Sequence, residues 1–487
     1  GGNASNFDWL SVGPSTWSSL LCEIRDCELR VNTSSASLQP STAQYVAALH
    51  ASGSGKEVTF NFKRSNFTVS HSGTAATAGI LFDTVALAPT VNVFQSSVSI
   101  QTTRGKAAYV YFKGINGVDT TYARTATEET TAMISNTATN VLAIVLIDTD
   151  SVVIKHDVRI GFSSNFALTG GGDASGVHLG AGSSIYRVFL SLTGRQPPVH
   201  RLGSAPNSGE LTSVTISTPS TATLFRCSGC AANASTFAFE QLSLDILSGS
   251  SQLAVVLVEK AARFWEVYLG ATYLTVSQDF NSGDAHFFSF HSFDEFESTF
   301  VVSRSEITLR GSGDLAYIHM SSSFGQNKVR PSTRLFDSKE VGIKFVPDGG
   351  NNECALVRFH RSNISNAGVI SFVNTDVEFP FLANISANTS TGIRSVLVVS
   401  GGSNIGIDFL FQSVETLGLH VVPRVKTFEL MDHLVQVRGS AEISGIVNFY
   451  NASVGLRSSA LSLERNNVVL GAGSINITST TLQGLGA

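Results

Sequence analysis

The closely spaced acidic residues are the first place to look for chemistry. Asn374-Thr375-Asp376 runs on into Val377 and Glu378, so an extended strand would turn Asp376 and Glu378 to one face. Two carboxyl groups flanking one bond are what glycoside hydrolysis requires. The same spacing is found in any pair of outward strand residues, so it marks a candidate and nothing more. Asp148-Thr149-Asp150 offers a second pair, with too few oxygens for a hard cation. Asp294, Glu295 and Glu297, close in sequence to His286 and His291, form the densest acidic cluster. It reads as an acid–base or metal site, or as a solvated loop joining Phe290 to Phe296. The eleven histidines otherwise lack ligand spacing. No nucleophile elbow, phosphate loop or dinucleotide fingerprint is present. No catalytic residue, metal or cofactor is expected.

The five cysteines are Cys22, Cys27, Cys227, Cys230 and Cys354. Cys227-Ser-Gly-Cys230 has the spacing of half a zinc site or a redox pair. Zinc would need a second pair of ligands, and a redox motif a βαβ setting. The competing expectation is two local disulfides, Cys22 with Cys27 and Cys227 with Cys230, and one buried thiol, as suits an oxidising compartment. Asn-X-Ser/Thr sequons stand at Asn3, Asn32, Asn66, Asn233, Asn363, Asn384, Asn388, Asn451 and Asn476. Each is a glycan acceptor if the chain is secreted, with Asn384 and Asn388 competing sterically.

Composition narrows the choices. Hydrophobic residues make up 43% of 487, ample for a core, and charged residues only 14%. Neutral hydrogen-bonding residues fill the polar surface. A net charge of −5 without a basic run excludes a nucleic-acid footprint. The longest apolar runs, such as Val141 to Ile147 and Leu253 to Val258, are strand-sized, too short to span a bilayer. The chain begins with Gly1, as expected of a processed form or fragment, and an anchor beyond Ala487 remains compatible with it.

The elements that must position these residues are strands. Val, Ile, Thr, Ser and Phe dominate, and helical spacing is confined to short stretches at Thr42 to His50 and within Cys22 to Arg30. A pattern of two apolar pairs around a polar break recurs. Phe60-Asn-Phe62 with Phe67-Thr-Val69 and Val91-Asn-Val93 with Val98-Ser-Ile100 are early copies. Val145-Leu-Ile147 with Val152-Val-Ile154, Phe237-Ala-Phe239 with Leu244-Asp-Ile246, and Phe300-Val-Val302 with Ile307-Thr-Leu309 follow, and Val447-Asn-Phe449 with Val454-Gly-Leu456 closes the series. Copies return about every 30 residues, the period of stacked supersecondary units. Breaks such as Gln95-Ser96, Asn374-Thr375 and Asn451-Ala452 suit tight corners that stack into polar ladders. Phe62, Phe239, Phe300, Phe372 and Phe449 fall on the inward set. The fold expected is all-β, a right-handed parallel β-helix (solenoid) with about 30-residue coils over residues 51–487. Residues 1–50 are expected to form a cap, and loops to leave the coil near 116–140, 163–184 and 193–209.

This pattern resembles the pectin-lyase-like superfamily of parallel β-helices, which includes polysaccharide lyases and hydrolases. The resemblance implies a test for an enzyme. Asn374-Thr375-Asp376 matches one hydrolase motif, but the Asp-Asp, Gly-His-Gly and Arg-Ile-Lys motifs are missing. Segments such as Asn451-Ala-Ser-Val-Gly-Leu456 and Val468-Val-Leu-Gly-Ala472 are also similar in style to the dispersed-gene-family surface proteins of kinetoplastid protozoa, which would imply a glycosylated surface protein of long repeats. The function expected is therefore a structural or adhesive extracellular glycoprotein of a cell surface or filament. A polysaccharide-degrading enzyme and a glycan-binding module are the alternatives. Ile475 to Leu482 opens a coil without a polar cap, so self-association end to end is expected.

Overall fold

The computed structural model describes residues 7–12, 20–33, 45–51, 55–83, 87–113, 123–161, 164–193, 211–248, 252–260, 262–278, 283–292, 295–321, 334–347, 353–378, 394–415, 432–456, 459–463, 469–470, 474–478 and 480–484. Among them there is no helix, and the strands build a parallel β-solenoid of about 34 residues per turn. The chain divides into two compact units, Gly1–Ser250 and Ser251–Ala487.

In the first unit each coil carries a strand of one sheet and two strands of another. Tyr45–Ala51, Ala76–Asp83, Ala107–Lys113, Leu142–Ile147, Ala174–Leu179 and Ala222–Ser228 pair in that order, each parallel to the next. The intervening strands, such as Gly55–Lys63 and Asn66–His71, pair with Leu87–Phe94 and Ser97–Thr102 one coil on. The second unit repeats the plan. There Gln252–Glu259, Asp284–His291, Leu315–Ser321, Cys354–His360 and Arg394–Ser400 form one ladder. Glu295–Gly311, Arg334–Pro347 and Asn363–Glu378 belong to the other.

The two kinds of strand have different sequences because they are buried differently. Asn66–His71 alternates buried and exposed, with one face on the core. Leu142–Ile147 is buried throughout and reads as a continuous apolar run, as parallel strands covered on both faces do. Phe82 and Phe112 stack on each other and meet His156 across the coil, while their neighbours Leu81 and Tyr111 join a second apolar cluster with Ala47, Ala78, Ala108, Ala143 and Leu146.

The polar breaks are corners. Arg64, Gln95, Glu129, Arg304 and Asn374 each take a left-handed φ of 48–51°, and a buried Ser or Thr follows. Serine hydroxyls at such corners satisfy backbone amides of the preceding coil. Ser96 Oγ accepts from Ser65 N at 3.2 Å, Ser164 Oγ from Thr130 N at 3.2 Å, and Ser403 Oγ from Ser362 N at 3.0 Å. Among the described residues nineteen that are not glycine adopt this conformation, beside Gly182, Gly229, Gly401, Gly402 and Gly439, so the bend is written into the repeat and does not depend on glycine.

Several expectations are corrected. Within the expected cap, residues 1–50, the strands Leu20–Arg25 and Glu28–Thr33 lie in register with Gly55–Lys63 and Asn66–His71 and so belong to the coil. The helices expected at Thr42 to His50 and within Cys22 to Arg30 are strands where they are described, since tertiary pairing overrides weak local preference. The loops expected near 116–140 and 163–184 instead contribute Ala123–Glu128, Thr131–Asn136, Asn165–Gly170 and Ala174–Leu179 to the ladders. Small and threonine-rich strands hide the apolar alternation there. Residues 194–209 of the third excursion lie outside the described residues. Val145 to Ile154 is not a paired copy, because Leu142–Ile147 belongs to the doubly buried ladder.

Candidate functional site

Asp376 and Glu378 do share the outward face of one strand, and the register adds a third acid. Glu306 and Asp376 stand opposite the two sides of Gly342 in successive coils. A Cβ on Gly342 would come within 2.4 Å of Glu306 Oε2, so the glycine makes room for that carboxyl. Burial, then Glu378 and Asp376, raise the pKa of Glu306; burial and Glu378 raise that of Asp376. Lys344 Nζ lies 3.9 Å from Glu378. Glu306 and Asp376 therefore hold protons more readily than isolated carboxylates. Asp148 and Asp150, by contrast, do not act together. Asp148 is bonded by Lys106 and by the Tyr111 hydroxyl, while Asp150 occupies a left-handed corner. Asp294 and the side chains of Glu295 and Glu297 lie outside the described residues. Among the described residues no three His, Cys, Asp or Glu are grouped to hold a metal ion.

Both units carry an Asp–His–Arg arrangement on the doubly buried ladder, with the imidazole buried and the carboxylate partly exposed. Asp173 precedes its strand, His178 lies five residues on, and Arg226 is opposite His178 one coil later. Arg226 bonds Asp173, which also accepts from Ser220 Oγ and Thr221 N. In the second unit Asp314, His319 and Arg358 repeat that spacing and register, and Arg358 bonds Asp314. Here a second imidazole is added, with His286 Nδ1 3.3 Å from His319 Nδ1. Burial lowers the pKa of His178 and of His286 to about 3, and that of His319 well below its ordinary value. Two neutral rings sharing Nδ1 contacts must be of opposite tautomers. His286 Nε2 is buried without a partner, so the cheaper assignment has its Nδ1–H donating and Nε2 as the bare acceptor.

A third feature was not found from sequence. At two corners the residues immediately before and two after the left-handed residue are both aromatic. In the first unit these are Tyr186 and Phe189 around Arg187, and in the second Trp265 and Tyr268 around Glu266. A spacing of three would put the rings on opposite faces of a straight strand. The left-handed residue inserts the extra turn, so that Val188 and Val267 point inward, 2% exposed each, and both rings face out. In the first unit the rings are roofed. Arg187 lies over Tyr186 at 5.0 Å, and Arg159, held 3.0 Å from Asp157, lies over Phe189 at 5.3 Å. In the second, Trp265 is 39% and Tyr268 41% exposed. Tyr268 is seated on Gly270, where a Cβ would meet its Cε1 at 2.6 Å and its hydroxyl at 2.8 Å.

Of the sequon asparagines, Asn32, Asn66, Asn233, Asn363, Asn451 and Asn476 are exposed, while Asn3, Asn384 and Asn388 lie outside the described residues. Cys227 and Cys230 are joined in a disulfide, Cα–Cα 5.6 Å, around Gly229 at φ 65°. Cys22 and Cys27 are not joined, contrary to expectation. Cys22 is in register with the inward Phe60, whereas Cys27 occupies the exposed corner and donates to the Arg25 carbonyl. Cys354 is a buried thiol with its pKa pushed up to about 12 by burial. Compared with family models, curated proteins and solved structures, the chain matches none.

Proposed function

We propose that this chain is a structural or adhesive extracellular glycoprotein, displayed at a cell surface or built into an extracellular filament. The observation that carries the reading is the exposure of all six described sequon asparagines. Asn66 and Asn363 occupy the same corner position, two residues after a left-handed arginine, so a glycan there would leave both ladders undisturbed. The Cys227–Cys230 disulfide is in keeping with an oxidising compartment. Self-association belongs to the same reading. The test is mass spectrometry of native material before and after enzymatic deglycosylation. Unmodified asparagine at all six positions sinks the proposal.

The carboxyl row of Glu306, Asp376 and Glu378 favours a second reading, a polysaccharide-degrading enzyme of the pectin-lyase-like superfamily. Glu306→Gln and Asp376→Asn would each abolish release of reducing ends from polygalacturonate. If the unaltered protein releases none from acidic or neutral polysaccharides, this reading is finished.

A further inference from the structure

We propose that the His286–His319 pair is an acid-sensitive latch, holding two coils of the second unit closed at neutral pH and releasing them together when both rings take up protons. The release is local. In the first unit a single imidazole, His178, stands at the matching place, and its strand stays closed over the same range. The inference holds whether or not the chain is glycosylated.

The geometry leaves the pair no room for charge. His286 is 1% and His319 9% exposed, with ring centroids 4.3 Å apart and Nδ1 atoms 3.3 Å apart. One Nδ1–H serves both rings. A proton on each would set donor against donor across that contact and place two cations side by side. His286 Nε2 makes no hydrogen bond that would help it hold a proton.

The charged groups on the packed strands give no relief. On its own strand the pair meets Asp284, which accepts from the Asp314 amide at 2.8 Å, and His291, bonded to Ser289 and Ser321 and 5.6 Å from His319. Gln252–Glu259, one coil earlier, contributes Glu259, whose charge acts on His291. Asp314, just ahead of Leu315–Ser321, accepts from Arg358 at 2.5 Å and from the Glu353 amide. Cys354–His360, one coil later, brings Arg358 opposite His319, with His360 and the buried Cys354 thiol. Arg394 of the following strand stands opposite Cys354, and Glu353 is bonded by Arg438 and lies 3.7 Å from Arg358. Asp314 and Glu353 are thus already committed to arginines, while Arg358, His291 and His360 oppose any positive charge on the pair.

The consequence is a two-proton step. In the closed coils burial above all holds both rings neutral, His286 down to about 3 and His319 well below its ordinary value. Once the strands part, each ring faces water and takes a proton below about pH 6.5. The open form binds more protons than the closed one, so opening grows as pH falls. Each proton multiplies the opening constant about tenfold per pH unit, so the pair gives about hundredfold. His178 has Leu146 before it and Arg226 after it in register, so its strand gains one proton and about tenfold. Coils of a solenoid contact only their neighbours, which lets two of them open while others stay paired.

The test is hydrogen exchange with mass spectrometry on the full chain between about pH 6 and 4.5, corrected for the intrinsic pH dependence of amide exchange. Peptides covering Asp284–His291 and Leu315–Ser321 are expected to open about hundredfold more per pH unit, and those covering Ala174–Leu179 at most about tenfold. His286→Phe and His319→Gln are each expected to reduce the steep slope to about tenfold, and His178→Phe to leave it unchanged. Circular dichroism confirms that each variant retains its strands, and the slopes of the unaltered chain decide without any variant. The proposal is overturned if the unaltered chain opens with equal slopes in both units. It is also overturned if the two strands open on different slopes, or if both His286→Phe and His319→Gln keep the steep one.

Discussion

The two units follow one coil plan but stack their inward rings differently. In the first unit aliphatic rows such as Val91, Val93, Val98, Ile100, Val158, Ile160, Leu190 and Leu192 are buried beside aromatic residues such as Phe60, Phe62, Phe166, Phe237 and Phe239. In the second, phenylalanine columns run along the coil. Phe411 is stacked between Phe372 at 5.5 Å and Phe449 at 4.8 Å, and Phe300 on Phe336 at 5.1 Å. Guanidinium groups lie over the outward aromatic pair of the first unit, while in the second Trp265 is 39% and Tyr268 41% exposed. The backbone register thus fixes which positions point inward or outward and leaves their chemistry free to diverge.

The largest effect that would sharpen this contrast is in the core. Phe411→Ala removes the middle ring of a column and is expected to cost about 3–5 kcal/mol in unfolding free energy. Val93→Ala, the position with the same relation to its corner in the first unit, removes two methyl groups and should cost about 2 kcal/mol. Guanidinium unfolding of the full chain would measure both. Equal losses would mean that the aromatic column packs no more tightly than the aliphatic one.

The Asp–His–Arg arrangements come next. Removing the carboxylate of either partly buried ion pair strands an arginine that is itself largely buried. Asp173→Ala also releases the Ser220 hydroxyl and the Thr221 amide, and about 3 kcal/mol is expected. After Asp314→Ala, Arg358 keeps Glu353 within 3.7 Å, so about 2 kcal/mol is expected. The reverse order in the measured losses would show that the second cluster is the more tightly coupled.

Acid should act on the same clusters. His178 and His286 are neutral in the fold down to about pH 3 but take a proton in the unfolded chain below about pH 6.5. Their contribution is complete above the unfolded value and is lost as pH falls from there through the folded one. The loss is about 1.4 kcal/mol per pH unit for each imidazole. His286 faces Arg358, His291, Asp314 and the ring of His319, so protonation there places a cation beside another cation and a ring. Replacing His286 by Phe should flatten stability against pH between 6 and 4 by one imidazole's slope. An unchanged slope would mean that this ring is already charged in the fold.

The parts of this architecture legible in sequence are those buried on one side. Phe60 to Val69 alternates because one face meets the core, and its break at Arg64-Ser65 announces a corner. The doubly buried strands, such as Ala107–Lys113, have no period of two, so the third side of each coil and the first fifty residues went unread. Asp376 and Glu378 could be placed on one face from their spacing, but Glu306 joins them only through register across Gly342. The aromatic corners are visible as Tyr186-Arg-Val-Phe189 and Trp265-Glu-Val-Tyr268. Their odd spacing points the wrong way until the left-handed residue between them is known.

The smallest expected effect bears most directly on the contrast between the two corners. If the residue at the left-handed position decides whether a guanidinium lies over the ring before it, exchanging that residue should exchange the contact. Glu266→Arg would lay a guanidinium over Trp265, as Arg187 does over Tyr186, for about 0.5–1 kcal/mol. In a chain carrying Trp9→Phe and Trp17→Phe, Trp265 is the sole indole, and its quenching by acrylamide should fall when Glu266 becomes Arg. Conversely, Arg187→Glu should open Tyr186 to nitration by tetranitromethane while Phe189 stays under Arg159, which Asp157 anchors independently. Unchanged quenching in the first experiment would locate the difference between the corners outside the left-handed position, in the Gly270 seat that only the second corner possesses.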